Sequence, residues 1–346
     1  MFWQTWVRTA AILTLTGSFL FLGEEYSAKA ESTPLLHAAP DGEWSEVYLY
    51  DLELAASTVN QTIVIDEAGQ RIYATQARTF KGDTAESFVI SRLTLDGRLL
   101  DSMTVRYGGH GTSIGIERNG NSVYIWSNML SVDSNGRVKT QFLTRYPYAA
   151  GSQLTVDSPS VEKLAEFPDP AAYMSPFTDA KNGSIAYRYT SLKKGKKASR
   201  VEVRNIEDVK KGINKVLYSY EFSMSMNKLI LQGMTLDGPN LYLTFGQRAS
   251  DFHLYHIDLP SGKIVKELKR PVGLNHQGRY EANFGEPEGL YLYTDPETKL
   301  KTLFTVIVTD APGKRRQKLI AFSWNDGVKK FLRLTDRGDR EKAKQR

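Results

Sequence analysis

Strand-like segments recur along this chain in one fixed order, and no other feature limits its fold as strongly. Each unit opens on a small or polar anchor and a short apolar strand. A Gly, Asn or Asp turn follows, then an aromatic-rich strand, then a third and often a fourth strand. The units begin QTIVIDEAGQRIYATQ (Gln61 to Gln76), HGTSIGIERNGNSVYIWSN (His110 to Asn128), SPFTDAKNGSIAYRYTS (Ser175 to Ser191), LQGMTLDGPNLYLTFGQ (Leu231 to Gln247) and EPEGLYLYTDPETKLKTLFTVIVT (Glu286 to Thr309). Anchors near Gln61, Gly111, Ser175, Gln232 and Glu288 are spaced by 50, 64, 57 and 56 residues. Such a length holds four strands, the size of a propeller blade. The expected fold is therefore all-β, a five-bladed β-propeller of four-stranded antiparallel blades over residues 45–332. EVYLYDLEL (Glu46 to Leu54) precedes the first unit and is placed to supply the outer strand of the last blade. The competing architectures are a β-sandwich and two smaller β domains; no long linker within 45–332 supports a division. One helical fragment is expected, Asn205 to Gly212, with Asn205 as N-cap and Gly212 as stop.

The ends of the chain differ from this body. Arg8, an apolar run from Ala10 to Gly23 and the small-x-small site Ala28-Lys29-Ala30 read as a secretory signal peptide over residues 1–30. The run of about 14 residues is short of the roughly 20 that a spanning helix needs, so no stable membrane insertion is expected after cleavage. Residues 31–44 read as a polar, proline-spotted linker. Residues 333–346 read as a basic, disordered tail, whose Arg337-Gly338-Asp339 is taken as chance. Removing residues 1–30 deletes Arg8 and Lys29 with Glu24 and Glu25, so the net charge stays at +6. That excess favours a polyanionic partner, and export argues against nucleic acid. The chain has no cysteine, which excludes disulfides and thiolate chemistry.

Few residues carry the pattern of a catalyst. Of the five histidines, His37, His110, His253, His256 and His276, only His253 and His256 are close in sequence. Strand alternation sends those two to opposite faces, one packed and one solvated, so neither a metal nor another cofactor is expected. Ser113 in GHGTSIG lacks the strand–turn–helix context of a nucleophile elbow. Asp66, Glu117, Asp179 and Asp237 end first strands just before turns and are read as turn-stabilising. The run from Leu192 to Arg200 reads as a solvated hairpin tip. Tyr73, Tyr124, Tyr187, Tyr242 and Tyr291 recur at matching places and read as second-strand packing residues. No catalytic residue is assigned.

The candidate binding site comes from convergence. In a propeller the first strands line the central channel, and their starts meet at one mouth. Gln61, His110, Gln232, Glu286 and Glu288 occupy those starts. The set is polar, mostly neutral and short of basic residues, which suits hydrogen bonds to hydroxyls. Gln76, Arg188, Gln247 and Arg248 are placed to extend the same surface.

The stretches QTIVIDEAGQRIYATQ, SRLTLDG, GGHGTSIGIE with VYIWSN, LQGMTLDGPNLYLTFGQ, and GEPEGLYLY ending in FSWN resemble a known group of propellers, over most of residues 60–325. The group includes the teichoic-acid biosynthesis protein C family, receptor-binding tail proteins of some staphylococcal phages and helveticin-like class III bacteriocins. The resemblance implies a five-bladed ring and a link to wall teichoic acid; members with a signal peptide look like Gram-positive cell-surface proteins. The expected function is a secreted, non-enzymatic propeller at the cell wall that binds a teichoic-acid-related glycopolymer. The alternatives are a helveticin-like bacteriocin and a glycan-cleaving hydrolase using Glu288 with another channel carboxylate.

Overall fold

The segments between turns are dense in Val, Ile, Tyr, Phe and Thr, whose branched or aromatic side chains pack well on a pleated surface. In the computed structural model they form β1 to β21. The structure describes residues 46–81, 83–167, 173–193, 196–248, 250–270, 285–309 and 315–322, with 329 and 331. β1 (Glu46–Asp51) is followed by the first blade, β2 (Asn60–Asp66), β3 (Arg71–Arg78), β4 (Ser87–Thr94) and β5 (Leu99–Val105). The second blade is β6 (Gly115–Asn119), β7 (Ser122–Val132), β8 (Val138–Pro147) and, after the short β9 (Gln153–Leu154), β10 (Glu162–Phe167). The third is β11 (Tyr173–Asp179), β12 (Ser184–Lys193), β13 (Lys196–Asn205) and β14 (Tyr218–Glu221). The fourth is β15 (Leu231–Asp237), β16 (Asn240–Phe245), β17 (Phe252–Asp258) and β18 (Lys263–Arg270). The fifth is β19 (Glu286–Thr294), β20 (Lys301–Thr309) and β21 (Arg316–Phe322), completed by β1 as its outer strand.

The five-bladed, antiparallel architecture is the one expected. β1 runs along β21, with Glu46 opposite Phe322 and Asp51 opposite Lys318, so the two ends of the repeat share a blade. The first strands touch in ring order, β2 to β6, β11, β15 and β19, and β19 returns to β2. Between blades the apolar faces interlock, and Phe88, Ile125, Leu243, Phe245 and Phe304 are fully buried. Each such side chain contributes roughly 1.5–3 kcal/mol of burial.

Two details depart from the expectation. β9 adds to the first blade as a fifth strand, parallel to β5, with Thr104 opposite Gln153. The segment leading to it is pinned by Tyr148, whose hydroxyl donates to Asp101 at 2.7 Å and whose ring meets Tyr73 edge-on. This excursion accounts for the longest spacing, 64 residues between the second and third anchors. Tyr291 lies on the first strand of its blade, β19, and not on a second strand. Its hydroxyl donates to the Ile65 carbonyl of the first blade at 2.7 Å, so it ties blades together at the ring centre.

The helical fragment forms as α1 (Ile206–Lys210), with the Asn205 side chain accepting from the Asp208 N–H at 3.0 Å. Among the described residues no helix is long and apolar enough to cross a membrane. The expected signal peptide, linker and tail, with His37 and His276, lie outside the described residues.

Candidate functional site at the channel mouth

Because every first strand runs the same way along the channel, the five strand starts gather at one end. They surround a cavity of about 400 Å³ lined by Gln61, His110, Arg188, Gln232, Glu286 and Glu288, with Thr112 and the apolar Val59, Ile230 and Leu231. All five blades contribute. Gln61 opens β2, His110 and Thr112 precede β6, Arg188 lies on β12, Gln232 is on β15, and Glu286 and Glu288 begin β19. Arg188 reaches the mouth because β12 is antiparallel to β11, which puts it opposite Ser175 at the start of its blade.

Most of these side chains are braced from behind. Gln232 donates to the Gly246 carbonyl at 3.0 Å, and Arg188 donates to the Thr190 hydroxyl at 3.0 and 2.9 Å. His110 Nδ1 lies 2.9 Å from the Glu86 carboxylate. Ser113 donates to the Pro176 carbonyl, a bond between blades two and three, which is its structural role. Glu288 differs. It is 3% exposed, and among the described residues its Oε2 has no hydrogen-bond partner. Burial, with the like charge of Glu286 adding to it, pushes its carboxyl well above the usual range.

Of the eight primary candidates, two lie elsewhere. Gln76 is fully buried, and its amide accepts from the Ala56 N–H at 2.9 Å and donates to the Ala56 and Thr58 carbonyls, both at 2.6 Å. It holds the segment that links β1 to β2. Arg248, like Gln247, is exposed after β16 and does not line the cavity. Both histidines of β17 are buried, which corrects the expectation of one solvated ring. His256 stacks on Tyr242 with centroids 4.5 Å apart and meets Asn240 Oδ1 at 2.8 Å. His253 meets the Tyr255 hydroxyl at 3.3 Å. Among the described residues no three or more His, Asp or Glu side chains are grouped to hold a metal. The Lys-rich run is a hairpin in which Lys193 pairs with Lys196; its tip lies outside the described residues.

The strand-end carboxylates do more than stabilise turns, and this is the larger correction. Asp66 accepts from the Gly69 N–H at 3.0 Å within its own turn, but it also binds Arg118 of the next blade. Asp179 accepts from the Gly238 N–H of the following blade at 2.8 Å, and Asp237 pairs with Lys301. Glu67, which sequence reasoning passed over, is the hub. Its Oε1 accepts from Lys181 of blade three at 2.9 Å and from Thr294 N–H of blade five at 3.0 Å. Together these residues close the opposite end of the channel around a cavity of about 180 Å³. Glu67 follows Asp66 at a turn, and nothing in the repeat marks it.

Glu117 takes no part in its turn through its side chain. It accepts from Trp126 Nε1 at 3.0 Å, from Arg145 at 2.9 Å and from Lys210 at the end of α1. Burial raises its carboxyl, but the bonds to Lys210, Arg145 and Trp126 outweigh that and hold it below the usual range. A carboxyl lowered in the fold adds stability above its unfolded value and loses it as pH falls through the folded one. Glu117→Gln should therefore cost about 1–2 kcal/mol near neutral pH, less than a fully buried pair because water reaches Lys210. The deficit should shrink as pH drops through the acid range. Urea unfolding at several pH values checks this; a deficit constant with pH would contradict it.

Comparison with known proteins places this geometry. Residues 59–321 match the family described as phage 5-bladed beta propeller receptor binding platform domain. A curated relative, the putative major teichoic acid biosynthesis protein C of Bacillus subtilis (strain 168), is 34% identical over 275 residues, covering 79% of this chain and 61% of that protein. Among solved structures, the tail fiber of Staphylococcus aureus phage P68 superimposes with a TM-score of 0.70 at 26% identity, over 85% of this chain and 56% of that one. The chain thus spans about three-fifths of the length of the curated relative.

Proposed function

Because the chain belongs to the phage five-bladed β-propeller receptor-binding platform family, we propose that it is a secreted, non-enzymatic binding propeller of the Gram-positive cell surface that holds a teichoic-acid-related glycopolymer at the five-blade mouth. The observation that carries this reading is the gathering of Gln61, His110, Arg188, Gln232, Glu286 and Glu288 around one cavity. Two amides, a hydroxyl, an imidazole and a guanidinium offer donors and acceptors in several directions, and they need partners once a ligand displaces water. The teichoic acid biosynthesis role given for the curated relative supports the polymer class, and the receptor-binding family with its phage tail fiber supports a role at a cell surface. The chain's net charge of +6 favours encounter with a polyanion. The lining sets one guanidinium, Arg188, against the carboxyl groups of Glu286 and Glu288, so the mouth favours hydroxyl-bearing units over phosphates.

The test is sedimentation of purified residues 31–346 with cell walls before and after removal of teichoic acid. Binding should fall at least tenfold on removal. Gln61→Ala with Gln232→Ala should lower affinity roughly thirtyfold, as expected for two hydrogen bonds of about 1 kcal/mol each, while loss of the Gln232 bond to the Gly246 carbonyl lowers the melting temperature without unfolding the ring. Binding that is indifferent to stripping would end this reading.

A further inference from the structure

We infer that Glu288 takes part in binding as an uncharged carboxyl group, donating a hydrogen bond from the channel mouth to a hydroxyl of a neutral sugar or polyol unit. The inference rests on the proposed mouth site and names what that site selects.

The geometry is specific. Glu288 lines the cavity yet is 3% exposed, and among the described residues its Oε2 has no partner. A buried oxygen without a partner costs stability, and the residue that carries it lines a space large enough for a ligand. Glu286 and Glu288 are two apart on β19 and line the same cavity. An ionised Glu288 would add a second negative charge beside Glu286 inside the protein.

Among the described residues, burial and the charge of Glu286 are what act on the Glu288 carboxyl, and no cation offsets them. β2 presents Gln61 and β15 presents Gln232, both neutral amides. Arg188 is directed onto Thr190, and His110 onto Glu86. On the strands packed against β19, Asp66, Asp237 and Lys301 all lie at the opposite channel end. The raised carboxyl of Glu288 agrees with this arrangement. A protonated Glu288 donates and Glu286 accepts, and such a pair fits a hydroxyl, which both accepts and donates. An ammonium group, which only donates, would instead favour an ionised Glu288.

The experiment compares wild type, Glu288→Gln and Glu288→Leu for binding to teichoic-acid-bearing walls across pH. Gln keeps the shape and the donor without the ability to ionise. Binding by Glu288→Gln should stay within about threefold of wild type near neutral pH and should not weaken in alkali, where wild type declines tenfold or more. Glu288→Leu should bind at least tenfold less at every pH. Glucose and glycerol as free competitors separate a sugar unit from a polyol unit, and either one supports the inference. A Glu288→Gln variant as weak as Glu288→Leu, or competition by methylammonium, would overturn it in favour of an ionised carboxylate. A wild type that binds walls equally well without teichoic acid defeats the proposed polymer; the pH contrast between wild type and Glu288→Gln then still decides the role of Glu288. Stability gives a binding-independent readout. A carboxyl raised in the fold penalises the folded state as pH climbs above the usual carboxylate range, so Glu288→Gln should gain melting temperature over wild type with rising pH. Parallel curves would also overturn the inference.

Discussion

Gly289→Ala is expected to lose about 3–5 kcal/mol of stability, the sum of a left-handed backbone penalty and a clash that nothing nearby can relieve. Gly289 has φ of +73°, and a Cβ there would stand 2.6 Å from the Thr62 Cα and 2.9 Å from the Ile63 N. These are backbone atoms of β2, so the neighbour cannot rotate away. On its other side, a Cβ on Gly233 of β15 would stand 2.4 Å from the Gly289 carbonyl carbon. The first strands of blades four, five and one therefore approach backbone to backbone, and the ring closes at that radius only without side chains there. Gly262→Ala is the matched control. Its φ is +65°, but nothing lies within 4 Å of the added carbon, so it should cost only the backbone part, about 1–2 kcal/mol. Chemical denaturation of both variants decides. Equal losses would mean that the close approach of strands does not limit the ring.

Deletion of residues 1–55 is expected to abolish cooperative unfolding, whereas a chain starting at residue 45 should keep it. The longer deletion removes β1, which pairs with β21 along Glu46 to Asp51. It also removes the Leu52 N–H bond to the Gln317 carbonyl at 2.9 Å, the Glu53 N–H bond to the Gly97 carbonyl at 2.8 Å and the Asp51–Arg316 ion pair. The first two bonds come from one segment and reach the fifth and the first blades, so they fasten the ring where it would otherwise open. Without β1 the edge of β21 carries unpaired backbone groups and becomes a template for association. Size-exclusion chromatography and thermal unfolding of the two truncations give the answer. A sharp, monomeric transition within about 2 °C of the parent would refute a closing role for β1.

The parts of the molecule readable in sequence share a physical property: their signals are local. Strand composition and Gly or Asn turns depend on neighbours in the chain, so the units, the order of strands and the Asn205 cap were legible. The mouth was legible for a related reason. A repeat turns equal positions in sequence into neighbouring positions around a ring, so strand-start residues such as Gln61 and Gln232 could be grouped without knowing their contacts. Tyr291 escaped because the fifth unit carries its aromatic stretch on its first strand. Gln76 was misplaced because its partners, Ala56 and Thr58, belong to the irregular link before β2 and repeat nowhere.

What the amino-acid sequence determined by itself is the repeat: an all-β chain, five units, and a set of polar residues destined for one end of the channel. Only the tertiary structure decided what those and the other polar residues do. The carboxylates at strand ends read as turn residues, yet Asp66, Asp179 and Asp237 bind the blade that follows, a partner more than fifty residues away in the chain. Glu286 and Glu288 are alike in sequence, but the fold buries Glu288 and leaves its Oε2 without a partner among the described residues. Spacing records which residues meet; the charge a group carries depends on the water and the partners around it, and these exist only once the ring has closed.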